Sequence, residues 1–247
     1  SRNGIGLPGE QEAFVEQLLN TGKPVILVLF GGRQQVITNI EGRCAAIINA
    51  WFPGEEGGNA VADILTGKVN PSAKLSVSYP NSQEKKEVNY QNGYAIDAPP
   101  LYPFGFGLSY TNYKYSNFKM KSEAKLTDDR FSVSCTIENT GKVDGTEIVQ
   151  LYVSPFDKNS TMKPIQLKGF QRVSLKAGET KKVIFKVSPQ QLVQFKNNNW
   201  IVEADKYEFQ IGASSTDILL KGHIKFKGKD LILKNGRTVF FSKNTTE

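Results

Sequence analysis

The sequence predicts an α/β region followed by an all-β region, that is, a partial parallel α/β sandwich and then a β-sandwich with a terminal hairpin. Unbroken apolar runs of strand length alternate with amphipathic helical segments over residues 1–80. The apolar period changes to two over residues 112–226, where turn residues recur at short intervals. The 247 residues are long enough for two ordinary domains.

The first elements alternate between helix and strand. Residues 10–22 predict a helix that ends at Gly22, and its apolar residues share one face: Phe14, Val15, Leu18 and Leu19. PVILVLF has no polar interruption, which is typical of a central parallel strand covered on both faces. QQVITNIEG predicts one short helix, and CAAIINAWF predicts a second buried strand.

Residues 51–80 predict a turn, a helix and a third strand. Pro53 and Gly54 turn the chain, and the helix that follows ends near Gly67. KLSVSYP then alternates apolar and polar residues, as a strand does. Three strands and three helices make a thin unit, so the segment is either a compact partial sheet or the second half of a larger sheet begun upstream.

Residues 81–111 form a connector that is rich in proline, glycine and aromatic residues, and Pro99, Pro100 and Pro103 exclude a long helix there. We expect its aromatic residues to order it by packing. In one interpretation they link one domain to the next. In the other they help to shape a sugar site, because flat rings pack on the apolar faces of sugars.

The second region predicts about seven short strands over residues 112–226. This strand count and spacing are typical of a β-sandwich. In the tail, residues 227–247, Asn235-Gly236 lies between two apolar runs. The pair favours a tight turn, so we expect a terminal hairpin or strands added to the sandwich.

Composition and charge exclude several classes of protein. The net charge is +7, and residues 1–110 hold 8 Lys and Arg against 10 Asp and Glu, whereas the rest hold 23 against 14. The lysines alternate with apolar residues along predicted strands, which indicates a solvated sheet face rather than a nucleic-acid surface. No apolar run approaches the roughly 20 residues of a membrane span. Cys44 and Cys135 fall in different regions, no metal spacing is present, and we expect no cofactor.

Glu55 and Glu56 are the only carboxylates in a suggestive setting. They follow a strand at the edge where open α/β sheets bind ligands, so one of them could bind a sugar hydroxyl or act as an acid. Alternatively, both cap the helix that begins near Gly57, where carboxylates oppose the helix dipole. Adjacent residues rarely present both side chains to one substrate, so Glu55 and Glu56 are not expected to act together as a catalytic pair. Arg33, after Gly31-Gly32, lacks a phosphate-loop pattern and is expected to be structural.

Several motifs occur together: GLPGEQ, KPVILVLFGGR, WFPGEEGGNAVADILTGKVNPSAKLSVSYP, PLYPFGFGLSYT and GFQRVSLKAGET. In this order they resemble the C-terminal region of glycoside hydrolase family 3, the β-glucosidase and β-xylosidase family. The resemblance implies that residues 1–80 complete an α/β sandwich begun upstream and that residues 112–226 form a fibronectin type III-like domain. It covers nearly the whole chain.

The resemblance also places the catalytic residues outside this chain. The family's nucleophile is an aspartate of an N-terminal (β/α)8 barrel, for which the chain has no room. Its acid/base glutamate precedes an Asp/Ser-Arg pair, which Ser1-Arg2 match here, with Leu7-Pro8-Gly9 following. The glutamate is thus expected just before Ser1. Arg2 lies beside that position, where it either tunes the pKa of the glutamate, binds substrate or anchors the loop.

By this resemblance the parent protein is a retaining, exo-acting hydrolase of β-linked glucosides or xylosides. Its expected partners are that substrate and the missing barrel domain, and neither a nucleic acid nor a membrane is expected. We expect the parent protein in the periplasm of a bacterium or secreted into the medium. The chain alone should be inactive, because both carboxylates are required. The alternative is a non-catalytic carbohydrate-binding or domain-scaffolding module, which the upstream reading frame would distinguish.

Overall fold

The computed structural model describes residues 4–82, 89–92, 99–157 and 162–247, which form two compact units. The first unit is the α/β part and extends to Phe104. The second unit is the all-β part, from Gly105 onward, and it also includes residues 71–74. A stretch inside the α/β sequence therefore packs with the β-sandwich.

The first unit contains the predicted alternation of helices and strands. In chain order its elements are α1 (Gln11–Asn20), β1 (Ile26–Phe30), α2 (Thr38–Glu41), β2 (Ala46–Trp51) and α3 (Gly57–Leu65). β1 and β2 pair in parallel as a two-stranded sheet. The short helix α2 covers only the second half of QQVITNIEG, because Val36 forms a parallel bridge with Gly6 instead.

The third predicted strand is absent. Within KLSVSYP only Tyr79 pairs, as a single antiparallel bridge to Tyr102, with its N–H donating to the Tyr102 carbonyl at 2.8 Å. The alternating pattern was wrong here because a strand needs a neighbour, and no other part of the described chain offers it one. Residues 71–74, just before it, are held by the second unit.

The core of the first unit covers only part of its apolar surface. Val15, Leu19, Leu29, Ile37 and Ile40 are buried together. Four other apolar residues of α1 and β1 are exposed, with exposed fractions of 60% for Phe14, 39% for Leu18, 47% for Ile26 and 55% for Phe30. β1 therefore has the sequence of a strand that is buried on both faces, but one of its faces is uncovered in the described chain.

The second unit is the predicted β-sandwich. Its strands are β3 (Tyr113–Met120), β4 (Glu123–Lys125), β5 (Phe131–Asn139), β6 (Gly145–Pro155), β7 (Gln166–Leu175), β8 (Thr180–Val187), β9 (Gln194–Lys196), β10 (Asn199–Val202), β11 (Lys206–Gly212), β12 (Ile218–Lys227), β13 (Leu231–Ile232) and β14 (Lys243–Thr246). One sheet has the order β4-β12-β11-β6-β7 and the other β14-β8-β5-β3, while β13-β10-β9 form a small third sheet. Alternate residues of β5, β6, β8 and β11 fill the core: Val133, Cys135, Ile137, Val149, Leu151, Val153, Val183, Phe185, Phe209 and Ile211.

The tail makes the expected turn but adds strands rather than pairing with itself. Gly236 has φ +74°, and its N–H donates to the Leu233 carbonyl at 3.0 Å. The apolar run before the turn contains β13, which pairs with β10. The apolar run after the turn, residues 238–241, is not a strand, and the polar segment that follows it forms β14, which pairs with β8. β8 and β10 each have an edge free to accept a strand, so these edges capture the tail.

Candidate functional site

The carboxyl ends of β1 and β2 lie at one edge of the first unit because the two strands are parallel. Phe30 is the register partner of Trp51, after an irregularity that follows Leu29. The Gly31 N–H donates to the Trp51 carbonyl at 3.1 Å, which ties the two strand ends together. In open parallel sheets ligands bind at this edge.

Trp51 has an unusual backbone conformation. Its φ of +51° is in the left-handed region, which costs a non-glycine residue roughly 1–3 kcal/mol and is often found at functional sites. Its ring makes an edge contact with Tyr79, with the centroids 6.4 Å apart. The next residue, Phe52, is 80% exposed. A Cβ on Gly32 would lie 2.7 Å from the Phe52 ring, so this ring rests on a backbone position that only glycine leaves open.

Glu55 and Glu56 lie in the turn between Phe52 and α3, and both are exposed. Glu56 is the residue at the N-cap position, but its side chain makes no hydrogen bond to the helix backbone. It accepts instead from Asn59 Nδ2 at 2.6 Å. The Glu55 carboxylate makes no hydrogen bond or ion pair with any described residue. The two carboxylates thus differ, since one is engaged by its own helix and the other is available to a ligand.

A pair of buried polar groups lies behind this edge. The Tyr79 hydroxyl and Asn49 Nδ2 are both buried, and within the described residues neither meets hydrogen-bond geometry with a partner. Desolvation raises the pKa of Tyr79 to about 12, and the nearby Asn49 amide only partly offsets this effect. The hydroxyl therefore stays neutral, and it can donate a proton in a hydrogen bond.

Connector aromatics pack within the first unit. Tyr90 stacks on Phe104 with the ring centroids 4.1 Å apart, and Tyr102 contacts the Tyr79 ring at 6.1 Å. The Tyr102 hydroxyl donates to Glu41 Oε1 at 2.6 Å, and burial together with this carboxylate raises its pKa well above the usual value. The described connector rings therefore contact other residues of the first unit.

The second unit contains an ion pair that sequence reasoning missed. Lys74 Nζ lies 3.2 Å from Glu147 Oε1 and also donates to the Gly107 carbonyl at 3.0 Å. Desolvation raises the pKa of Glu147, and Lys74 opposes that rise. A Cβ on Gly107 would lie 2.4 Å from the Ala73 carbonyl oxygen. The motifs NPSAK and PFGFG therefore meet, which pattern reading could not show because they lie far apart in the sequence.

Arg33 and His223 have structural surroundings. Arg33 Nη2 donates to the Gly4 carbonyl at 2.7 Å, as expected of a structural arginine. His223 lies at the surface, with Nε2 3.8 Å from Glu208. No group of three or more metal-binding side chains was found among the described residues. No described helix is long and apolar enough to cross a membrane. Arg2 lies outside the described residues.

Two family models match the chain in the order that the fold suggests. Residues 1–110 match the glycosyl hydrolase family 3 C-terminal domain, and residues 147–215 match the fibronectin type III-like domain. The boundary between the two matches lies near the change from the α/β unit to the β-sandwich.

Full-length relatives extend this similarity to most of the chain. A putative β-xylosidase of Formosa agariphila is 40% identical over 220 residues, which cover 85% of this chain and 29% of the relative. A periplasmic β-glucosidase of Salmonella typhimurium is 35% identical over 85% of this chain and 30% of its own length. The chain thus spans about a third of the length of these relatives.

Solved structures show the same relationship. A β-glucosidase from Listeria innocua in complex with isofagomine superposes with a TM-score of 0.85 at 28% identity, covering 92% of this chain and 34% of that one. A β-glucosidase from Kluyveromyces marxianus in complex with glucose gives a TM-score of 0.86 at 30% identity, covering 94% and 30%. In each case the likeness is to part of a larger protein.

Proposed function

Because the chain belongs to glycoside hydrolase family 3 and corresponds to the C-terminal region of its members, we propose that it is part of a retaining, exo-acting β-glycosidase. The substrate class is a terminal β-linked glucoside or xyloside, which is the chemistry named for the relatives. The observation that carries the proposal is the 40% identity over 220 residues with both domain matches in order.

Retention requires two carboxyl groups about 5 Å apart, one as nucleophile and one as acid/base. We assign neither group to this chain. Glu55 and Glu56 are adjacent in one turn, and Glu56 is engaged by Asn59. In the proposal the nucleophile comes from the barrel domain and the acid/base glutamate precedes Ser1, with Arg2 beside it.

The uncovered side of β1 is evidence that the first unit completes a larger sheet in the parent protein. Ile26 and Phe30 are about half exposed although their strand has the composition of a buried parallel strand. A two-stranded sheet is marginal by itself, so further strands and helices of the parent protein are expected to cover these residues. The role of the chain is then to complete the sheet and to present the Phe52–Glu56 turn to the substrate.

Within that turn we assign substrate binding to Glu55 and a structural role to Glu56. Glu55 follows an exposed aromatic ring and has an unengaged carboxylate, whereas the carboxylate of Glu56 accepts a hydrogen bond within its own helix. A carboxylate can accept hydrogen bonds from sugar hydroxyls, and such contacts hold a ring in the orientation that attack requires.

The test compares the product of the complete reading frame with this chain in hydrolysis of aryl β-glucoside and aryl β-xyloside. Turnover by the long product alone is expected. Turnover by this chain alone would show that the acid/base residue lies within it and not before Ser1. Absence of turnover by both would favour the carbohydrate-binding or scaffolding alternative.

A further inference from the structure

An exposed aromatic pair lies on the β9–β10 hairpin of the second unit. Phe195 and Trp200 are direct cross-strand partners. Their ring centroids are 5.0 Å apart and their planes are tilted by 59°. The two residues are 60% and 41% exposed, so this tilted aromatic pair faces solvent although burial would stabilise it. Clustered exposed aromatics of this kind mark binding surfaces.

The hairpin holds both rings in place before any ligand arrives. Asn197 and Asn198 have φ of +50° and +60°, the values that a tight two-residue hairpin turn requires. On the edge of β10 that faces away from β9, the Leu233 N–H donates to the Trp200 carbonyl at 2.8 Å. The backbone of Gly236 packs against the indole, since a Cβ there would lie 3.5 Å from Nε1. A pre-positioned surface loses little conformational entropy on binding.

Neutral polar groups surround the two rings. Asn197, Asn198 and Asn199 are all exposed at the tip of the hairpin. In the described chain, neither the Asn198 amide nor the Trp200 Nε1–H makes a hydrogen bond, so both are available to a ligand. A side-chain amide offers donors and an acceptor, and an indole N–H offers one donor, which matches the hydroxyl groups of a sugar.

The charge within the β9–β10 hairpin itself is balanced. Lys196 on β9 forms an ion pair with Glu203, with Nζ 2.8 Å from Oε1. The hairpin therefore lacks the unpaired cations with which proteins hold phosphates or anionic polymers. Rings that pack on C–H faces, together with amides that bond hydroxyls, match a neutral sugar chain.

We propose that Phe195, Trp200 and Asn198 form a binding site for a neutral β-linked glycan on the β-sandwich. The choice of β-linkage rests on the proposed function, whereas the aromatic pair and its amides stand independently of it. Such a site holds a polymer near an exo-acting enzyme and so raises the local concentration of chain ends.

The experiment is affinity electrophoresis of the purified chain in gels that contain β-1,4-xylan, mixed-linkage β-glucan or dextran, whose linkages are α. We expect retardation in at least one β-glycan gel and none in dextran. Phe195→Ala and Trp200→Ala should each weaken the apparent association at least tenfold, and Trp200→Phe should restore part of it. Phe170→Ala is the matched control, because Phe170 is 57% exposed on β7.

Four binding results would overturn the proposal. These are no retardation in either β-glycan gel, retardation in dextran equal to that in the β-glycan gels, wild-type binding by the Phe195 and Trp200 variants, and a loss in the Phe170 control as large as theirs. A concentration-dependent dimer that both variants abolish would assign the pair to a second copy instead. If Trp200→Ala does not fold, Phe195→Ala decides, because its ring does not rest on the tail turn. Aryl-glycoside turnover by the long product is a separate readout, so failure there bears only on the proposed function.

Discussion

Lys74 and Glu147 form a nearly buried ion pair within the second unit, with Nζ 3.2 Å from Oε1 and side chains 13% and 5% exposed. Glu147 lies near the start of β6, and Lys74 follows the short stretch Pro71-Ser72-Ala73. Arg172 Nη2 reaches Ser72 Oγ at 3.4 Å on the same stretch. The contact explains why residues 71–74 pack with the β-sandwich although the α/β sequence surrounds them.

Loss of one partner of this pair should destabilise the second unit strongly. Glu147→Gln leaves the Lys74 ammonium buried without its counter-charge, and such changes cost roughly 3–5 kcal/mol. Lys74→Met with Glu147→Leu removes both charges and should recover most of that loss. Urea unfolding of Lys74→Met, Glu147→Leu and their double variant measures the coupling energy. A cost below about 0.5 kcal/mol for Glu147→Gln would mean that solvent screens the pair.

Gly105, which lies near this contact in the sequence, should not tolerate a side chain. Gly105 has φ +83°, and a Cβ there would lie 2.2 Å from Gln150 Oε1, whose side chain donates to the Gly105 and Ala213 carbonyls. Gly105→Ala therefore adds a clash to the cost of a left-handed backbone, which is about 1–2 kcal/mol by itself.

The matched control is Gly178→Ala, because Gly178 has φ +76° with nothing within 4 Å of the added Cβ. The melting temperature should fall clearly further for Gly105→Ala than for Gly178→Ala. Equal decreases would show that the Gln150 side chain moves aside without loss of its hydrogen bonds.

The first unit shows which parts of the fold the sequence could predict. α1, β1, β2 and α3 lie where periodicity and glycine stops place them, because those signals are local. The third strand, over KLSVSYP, was wrong, since pairing depends on a neighbour that local alternation does not report. The tail shows the same limit. Its Asn235-Gly236 turn was predictable, but the pairing of β13 with β10 and of the polar β14 with β8 depends on distant open edges.

The candidate site was predictable only in part. The position of Glu55 and Glu56 at the end of β2 followed from the order of strand, turn and helix. The hydrogen bond from Asn59 that separates their roles depends on side-chain rotamers. The left-handed backbone of Trp51 was also hidden, because tryptophan at such a position carries no sequence signal.

The buried Lys168 should make stability rise with alkaline pH. Desolvation lowers its pKa to about 8, with the charge of Arg237 as a smaller cause. The unfolded chain therefore binds more protons than the folded chain between about pH 8 and the usual lysine value of roughly 10.5, so the penalty of burying the cation is released across that window. The gain is about 1.4 kcal/mol for each unit by which the pKa is lowered.

The measurement is the free energy of unfolding against pH for the wild type, Lys168→Met and Lys119→Met. Lys168→Met should be less stable overall, because the Gln191 carbonyl and Gln166 Oε1 lose their donor. It should also lack the rise between pH 8 and 10.5 that the exposed-lysine control retains. If the free energy of unfolding of Lys168→Met rises with pH as it does in the wild type, groups other than Lys168 cause the rise.

Glu55 and Glu56 should separate into a binding residue and a structural residue when each is replaced in the product of the complete reading frame. Glu55→Gln removes a charge that no described residue engages, so stability should stay within about 0.5 kcal/mol while KM for aryl β-glycosides rises several-fold. Glu56→Gln weakens the bond from Asn59 and removes an anion from the start of α3, so it should cost up to about 1 kcal/mol of stability with little change in KM. Steady-state kinetics beside urea unfolding distinguishes the two effects. If Glu55→Gln leaves both quantities unchanged while Glu56→Gln raises KM, the assignments within the turn must be exchanged.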